Sequence, residues 1–174
     1  SAKDMTRESA DCVAMFGDAT EAYRYVLHLN AQRCRAGMPP YSSMARDLIK
    51  MGKAAEIDPA DVCKDVLDSI DGARGMRAAP LGFYQGMAKH LSGTSLKRLF
   101  ATCPSSVSGD EWAGAADKAG LFKLLTEAEM LEWLCDAIRS SNRYSAENLV
   151  QVVEKYKEIL HGHVLRVACS NLHL

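Results

Sequence analysis

Asp58-Pro59-Ala60-Asp61-Val62-Cys63-Lys64-Asp65-Val66-Leu67-Asp68-Ser69-Ile70 is the stretch whose reading decides the fold class. Val62, Cys63, Val66, Leu67 and Ile70 recur at helical spacing and form one apolar stripe, opposed by Asp61, Lys64, Asp65 and Asp68. Asp58 supplies a short acceptor at the N-cap position, and Pro59 occupies the first helical position, where its missing N–H costs nothing. Asp61 then places a carboxylate where it can reach back to the free amides of the first turn. The same punctuation recurs at Asp18-Ala19-Thr20-Glu21, Ser108-Gly109-Asp110-Glu111 and Thr126-Glu127-Ala128-Glu129. A chain punctuated this way predicts an all-α fold of about eight short capped helices, an irregular or shell-like bundle with almost no strand.

Working outward from that stretch, Met5, Ser9, Cys12, Val13 and Phe16 keep helical spacing up to Gly17. The helix capped by Asp18 carries Ala22, Val26, Leu27 and Leu29 and fades near Gly37. Met38-Pro39-Pro40-Tyr41 reads as a rigid connector, because each proline restricts the residue before it. Ser42 or Ser43 begins a helix with Met44, Leu48, Ile49 and Met51 inward. Beyond Ile70, Gly72 and Gly75 end the central helix. Pro80 opens another with Tyr84, Met87, Ala88 and Leu91, and Ser92-Gly93 breaks it.

A short helix through Leu96, Leu99 and Phe100 stops before Pro104. Residues 104–120 read as the least regular part, rich in Ser, Gly and Ala, with Trp112 as the only large anchor. Leu121, Phe122, Leu124 and Leu125 make a brief apolar turn. Thr126 caps a helix with Met130, Leu131, Leu134 and Ile138. Ser145 is expected to cap the last long helix, with Leu149, Val152, Val153, Tyr156 and Leu160, ending at Gly162. The predicted organisation is one helical domain over 1–162, or a closely packed pair of subdomains, followed by a tail over 163–174 that packs back or docks on a partner. The loops imply antiparallel or steeply angled neighbours, and no regular helical-repeat spacing is present.

The chain has 174 residues, 48% of them hydrophobic and 25% charged, which is the balance of an ordinary globular protein rather than a disordered one. Its net charge of −1, with Lys and Arg dispersed, argues against a nucleic-acid partner, since a binder concentrates its basic residues on one face. No apolar stretch is long enough to span a membrane, so the expected attachment is peripheral at most. The chain opens on Ser1, without the basic-then-apolar pattern of a signal peptide, and reads as a processed or trimmed form.

The six cysteines, Cys12, Cys34, Cys63, Cys103, Cys135 and Cys169, are widely spaced, without the close pairs of a zinc module. Several lie on apolar stripes and read as small core hydrophobes; one or two disulfides are the alternative. Eight methionines against four phenylalanines read as adaptable core filler, which also tolerates flat apolar ligands.

Motifs of catalysis are missing: there is no Gly-x-Ser-x-Gly, P-loop, dinucleotide fingerprint or HExxH, so no enzyme is expected and no catalytic residue is nominated. Glu127, Glu129 and Glu132 read as complements to a helix N-terminus plus a solvated face. His161-Gly162-His163 falls at a helix C-terminus, with only His173 nearby in sequence, too few ligands to expect a metal. His28 and His90 each lie within a helix beside apolar residues. They read either as locally satisfied boundary residues or as axial ligands of a tetrapyrrole, a role that needs a neutral imidazole facing an apolar cavity.

The order of several segments resembles one repeat unit of the peridinin–chlorophyll a proteins, the soluble lumenal light-harvesting proteins of dinoflagellate plastids. The segments are Gly17-Asp18-Ala19 leading a helix with Tyr23 and Tyr25, Met51-Gly52-Lys53-Ala54-Ala55, and a helix ending Asp68-Ser69-Ile70-Asp71-Gly72. Tyr84-Gln85-Gly86 and the run from Ser145-Ala146-Glu147 through Tyr156-Lys157 to Leu160 complete the set.

The resemblance implies an all-α shell, a place in the thylakoid lumen, and chlorophyll and carotenoid (peridinin) as pigments, with His28 and His90 as candidate pigment-binding residues. It also implies photosystem or antenna membrane-protein subunits as partners. Where the family carries a histidine pair near its chlorophyll, this chain has Cys63 and Lys64, and it carries extra residues from Trp112 to Leu125. The expected function is therefore a non-catalytic photosynthetic subunit, either pigment binder or lumenal scaffold. The alternative is a helical interaction module unrelated to photosynthesis, using the Pro39-Pro40 loop and the tail after Gly162 as contact surfaces.

Overall fold

Every one of the four N-terminal signals starts a helix in the computed structural model, which describes residues 14–101, 103–141 and 146–160. Among the described residues the regular structure is all helical. In order come α1 (Ala19–Arg35), α2 (Met44–Ala54), α3 (Pro59–Ile70), a 3-10 turn (Arg74–Ala78), α4 (Leu81–Ala88) and α5 (Gly93–Phe100). They are followed by α6 (Gly109–Lys118), a second 3-10 turn (Leu121–Leu124), α7 (Glu127–Arg139) and α8 (Glu147–Tyr156). Residues 14–16 are also helical and end at Gly17, whose φ of 65° is the left-handed conformation of a helix stop.

The caps divide by chemistry. Ser108 and Thr126 form complete reciprocal boxes: Glu111 N–H donates to Ser108 Oγ at 3.2 Å, and Glu129 N–H to Thr126 Oγ1 at 3.3 Å. Each glutamate returns to accept from its cap's backbone amide and hydroxyl. Asp18 and Asp58 cap forward alone, accepting from Thr20 N–H and Ala60 N–H at 2.8 Å. The difference follows from charge. A hydroxyl donates to an approaching carboxylate, whereas a second carboxylate repels it, and Asp61 turns instead to Lys64 Nζ at 3.0 Å.

The described chain divides into two compact units, one ending at Leu99 and the other beginning at Phe100. The boundary falls inside α5, with no linker in the sequence to mark it. In the first unit the stripe of α3 is buried as expected, together with Tyr23, Met44, Leu48, Phe83, Tyr84 and Met87. Tyr23 Oη donates to Asp65 at 2.9 Å and ties α1 to α3. Arg98 bridges Asp68 and Asp71, fastening α5 to the end of α3. Gly52 lets α2 approach α3, because a Cβ there would lie 2.4 Å from Val62 Cγ2.

The second unit corrects the reading of residues 104–120. They hold α6, with seven of its ten residues buried, and its small residues are the means of burial rather than a sign of irregularity. A Cβ on Gly109 would fall 1.7 Å from Ala137 O, so only glycine lets α6 meet α7 here. Gly109 N–H donates to Ser140 O at 3.2 Å across the same contact. The expected cap Ser145 lies outside the described residues; Ala146 occupies the N-cap of α8 and supplies no side-chain acceptor. The helix at Pro80 also ends sooner than its apolar spacing suggests, at Ala88.

Gly109→Ala should therefore cost about 3 kcal/mol, because the obstruction is backbone rather than a side chain that can turn away. Gly86→Ala, whose new Cβ would meet Ala45 Cβ at an ordinary 3.5 Å, should be neutral or stabilising through helix propensity. Urea unfolding of both variants checks this pair, and equal losses would contradict the close approach of α6 to α7.

Candidate functional site

The site with most chemical definition is in the second unit, and it is positioned by two aspartates on one face of α6. Asp110, only 2% exposed, accepts from Leu149 N–H at 2.9 Å and from Asn148 Nδ2 at 2.8 Å. Leu149 is the third residue of α8, so α6 provides the cap that Ala146 lacks. One heptad on, Asp117 accepts from Lys155 Nζ at 2.8 Å and from Tyr156 Oη at 2.9 Å. Start is tied to start and end to end, so α6 and α8 run in the same direction. Gly114, between the two aspartates, leaves room for the Asn148 side chain, which a Cβ would approach to 2.7 Å.

This clamp supports a chain of rings. Tyr156 packs on Phe122 with centroids 5.6 Å apart, and Phe122 on Trp112 at 6.5 Å. Trp112 in turn meets Phe100 and Trp133, each at 5.9 Å. Burial, then the Asp117 hydrogen bond, raises the Tyr156 hydroxyl above its ordinary pKa, so it remains a donor.

Beside this cluster opens a groove of about 460 Å³, walled by Phe100, Trp112 and Trp133 and bordered by Glu132, Asp136 and Arg139. Arg139 pairs with Asp136 at 2.7 Å, whereas Glu132 has no ion pair among the described residues. Trp112 Nε1 is buried without an acceptor there. Cys103 also lines the groove, but burial raises its thiol pKa, against a weaker lowering by a Ser140 hydrogen bond. Its Sγ donates weakly to Val107 O at 3.6 Å.

The first unit has a second groove, about 640 Å³, along Tyr23, Arg24, Leu27, Asp65 and Asp68. Its phenol is already committed: burial, followed by the bond and charge of Asp65, moves Tyr23 far above the ordinary tyrosine pKa.

His28 and His90 are both exposed, and His90, contrary to the sequence expectation, lies beyond the end of its helix. His28 Nε2 lies 2.8 Å from Gln32 Nε2 one turn along α1, and His90 follows the end of α4. Neither is enclosed by an apolar cavity. Cys63 is fully buried in α3 while Lys64 points to water and pairs with Asp61, so the two positions in place of the family's histidine pair face opposite ways. Cys34, Cys63, Cys103 and Cys135 are free thiols; Cys12 and Cys169 lie outside the described residues, as do His161, His163, His173 and the tail. No cluster of metal-ligating side chains and no helix long and apolar enough to cross a membrane occurs among the described residues.

Trp133, Glu132 as a groove residue, and the clamping role of Asp110 escape sequence reading. The available signal is that the chain's two tryptophans both fall in residues 100–140. The fold and site thus define a class, an all-α protein with an aromatic surface groove. No family model, no curated protein and no solved structure matches the chain.

Asp110→Ala should lose about 2–3 kcal/mol of stability, since it leaves the Leu149 amide buried without an acceptor, while Asp110→Asn retains an acceptor and should lose less. Denaturant titration of the two variants checks the order. Alkaline pH provides a separate measurement for the first unit. Burial raises the Cys63 thiol from an ordinary 9.0 to about 11. Because the folded-state value is the higher one, its contribution is complete below about 9 and is lost as pH rises through about 11. Cys63→Ala should make the fall of stability across that window shallower, and an unchanged slope would contradict the assignment.

Proposed function

We propose that the chain is a non-catalytic helical subunit that works by docking on a photosystem or antenna assembly in the thylakoid lumen, as a scaffold rather than as a pigment holder. One observation carries the docking half. Asp18, Asp58, Asp65, Asp110 and Asp117 are engaged in starting helices or fastening them together, while the aromatic groove stands open with Glu132 uncommitted at its border. The photosynthetic half is supported by the ordered resemblance to peridinin–chlorophyll a proteins. Exposure of His28 and His90 favours scaffold over pigment binder, because water competes for an unenclosed axial ligand. Buried Cys63, with its thiol held protonated, favours it further.

A second reading is an interaction module unrelated to photosynthesis, favoured by the 45% exposure of Met38 next to the exposed Pro39. Purification from the native source separates the two. The proposal predicts a protein without visible absorption bands that co-purifies with thylakoid complexes. Carotenoid and chlorophyll bands would replace the scaffold by a pigment carrier. A colourless protein absent from thylakoid fractions would remove the photosynthetic reading and leave the unrelated module.

A further inference from the structure

The groove of the second unit joins three features that no intramolecular contact uses together. Its walls are Phe100, Trp112 and Trp133, with Trp133 half-buried and so partly open to an incoming group. Its border is acidic by one charge, with Glu132 and Asp136 set against Arg139 alone. Asp136 is already matched by Arg139, which leaves Glu132 as the carboxylate without a counter-ion among the described residues. Glu132 and Trp133 are adjacent in α7, and both line the groove.

Aromatic faces attract cations through the ring quadrupole, and a neighbouring carboxylate adds direct charge attraction. A cationic side chain laid along Trp133 with its head at Glu132 meets both. Trp112, 4% exposed and with its indole N–H sealed from solvent, is the floor of the groove behind Trp133. A simple organic amine answers the cation demand only. A peptide segment with an exposed basic residue carries the cation and, in its flanking residues, further surface to fill a groove of about 460 Å³.

We propose that this groove is a docking site for a basic segment of a partner protein, which lays an arginine or lysine side chain over Trp133 and ends it on Glu132. The proposal deepens the docking function above and rests on its non-catalytic, interaction-based part, not on the photosynthetic one. Tryptophan and arginine are the residue types that most often concentrate binding energy at protein interfaces, and the groove supplies the first for a partner to supply the second.

The whole chain reports on its own groove, because its only tryptophans are Trp112 and Trp133. The experiment titrates the protein with a blocked tetrapeptide containing arginine, and with the same peptide containing uncharged citrulline, while following tryptophan emission. The arginine peptide should give a saturable change with a Kd of about 1 mM or tighter. The citrulline peptide should bind about tenfold more weakly. Glu132→Gln, an exposed change that leaves the fold intact, should weaken the arginine peptide about fivefold. Glu154→Gln, on α8 and outside the groove, should leave binding unchanged.

An unsaturable signal, equal binding of the two peptides, or no effect of Glu132→Gln would each overturn the proposal. Peptide binding with failed thylakoid co-purification would sink the photosynthetic reading alone. Co-purification without peptide binding would sink the groove as the docking site.

Discussion

The second unit depends on one interaction more than any other, the capping of α8 by a carboxylate that belongs to α6. A helix N-terminus leaves its first amides unpaired, and a buried one must find acceptors elsewhere in the fold. Ala146 offers none, yet Leu149 N–H is buried and satisfied, because Asp110 reaches it from a neighbouring helix. That bond fixes where α8 begins relative to α6. The Asp117 bonds to Lys155 and Tyr156 then fix its direction. Once Tyr156 is placed, Phe122, Trp112, Phe100 and Trp133 follow in a continuous series of ring contacts, and the groove is their outer margin.

The first unit uses the same device with less burial. Asp65 holds Tyr23, and the Asp68–Asp71 pair holds Arg98, so polar groups tie helices whose apolar stripes already pack. Arg98, Asp68 and Asp71 are substantially solvent-exposed, and exposed ion pairs contribute little to stability. They define which helix ends meet. Burial of apolar surface is the larger stabilising term, and the stripe of α3, Tyr23, Leu48 and Phe83 are all removed from water.

Local signals were read correctly from the amino-acid order because their physics is local. Asp58 with Pro59, Ser108 with Glu111, and Thr126 with Glu129 mark helix starts through contacts within four residues, and each helix starts there. The apolar stripe of α3 is buried as its period requires. What escaped notice was non-local. Gly109 and Gly114 look like loop formers until Ala137 and Asn148 stand against them. Asp110 looks like one more first-turn acid until α8 arrives 38 residues later in sequence. His28 and His90 have apolar sequence neighbours, but helical rotation turns His28 outward and α4 ends before it reaches His90, so both are exposed. The groove is likewise assembled from α5, α6 and α7, whose meeting no short window encodes.

Amide hydrogen exchange at Leu149 tests the central claim most directly. An N-terminal helical amide without a tertiary cap exchanges quickly, since no carbonyl of its own helix accepts from it. The structure predicts that Leu149 exchanges as slowly as Val152 and Val153 in the middle of α8, because Asp110 holds its N–H in a buried bond. Exchange at Leu149 as fast as at an exposed first-turn amide such as Thr20 would contradict the capping of α8 by α6, and with it the placement of the aromatic groove.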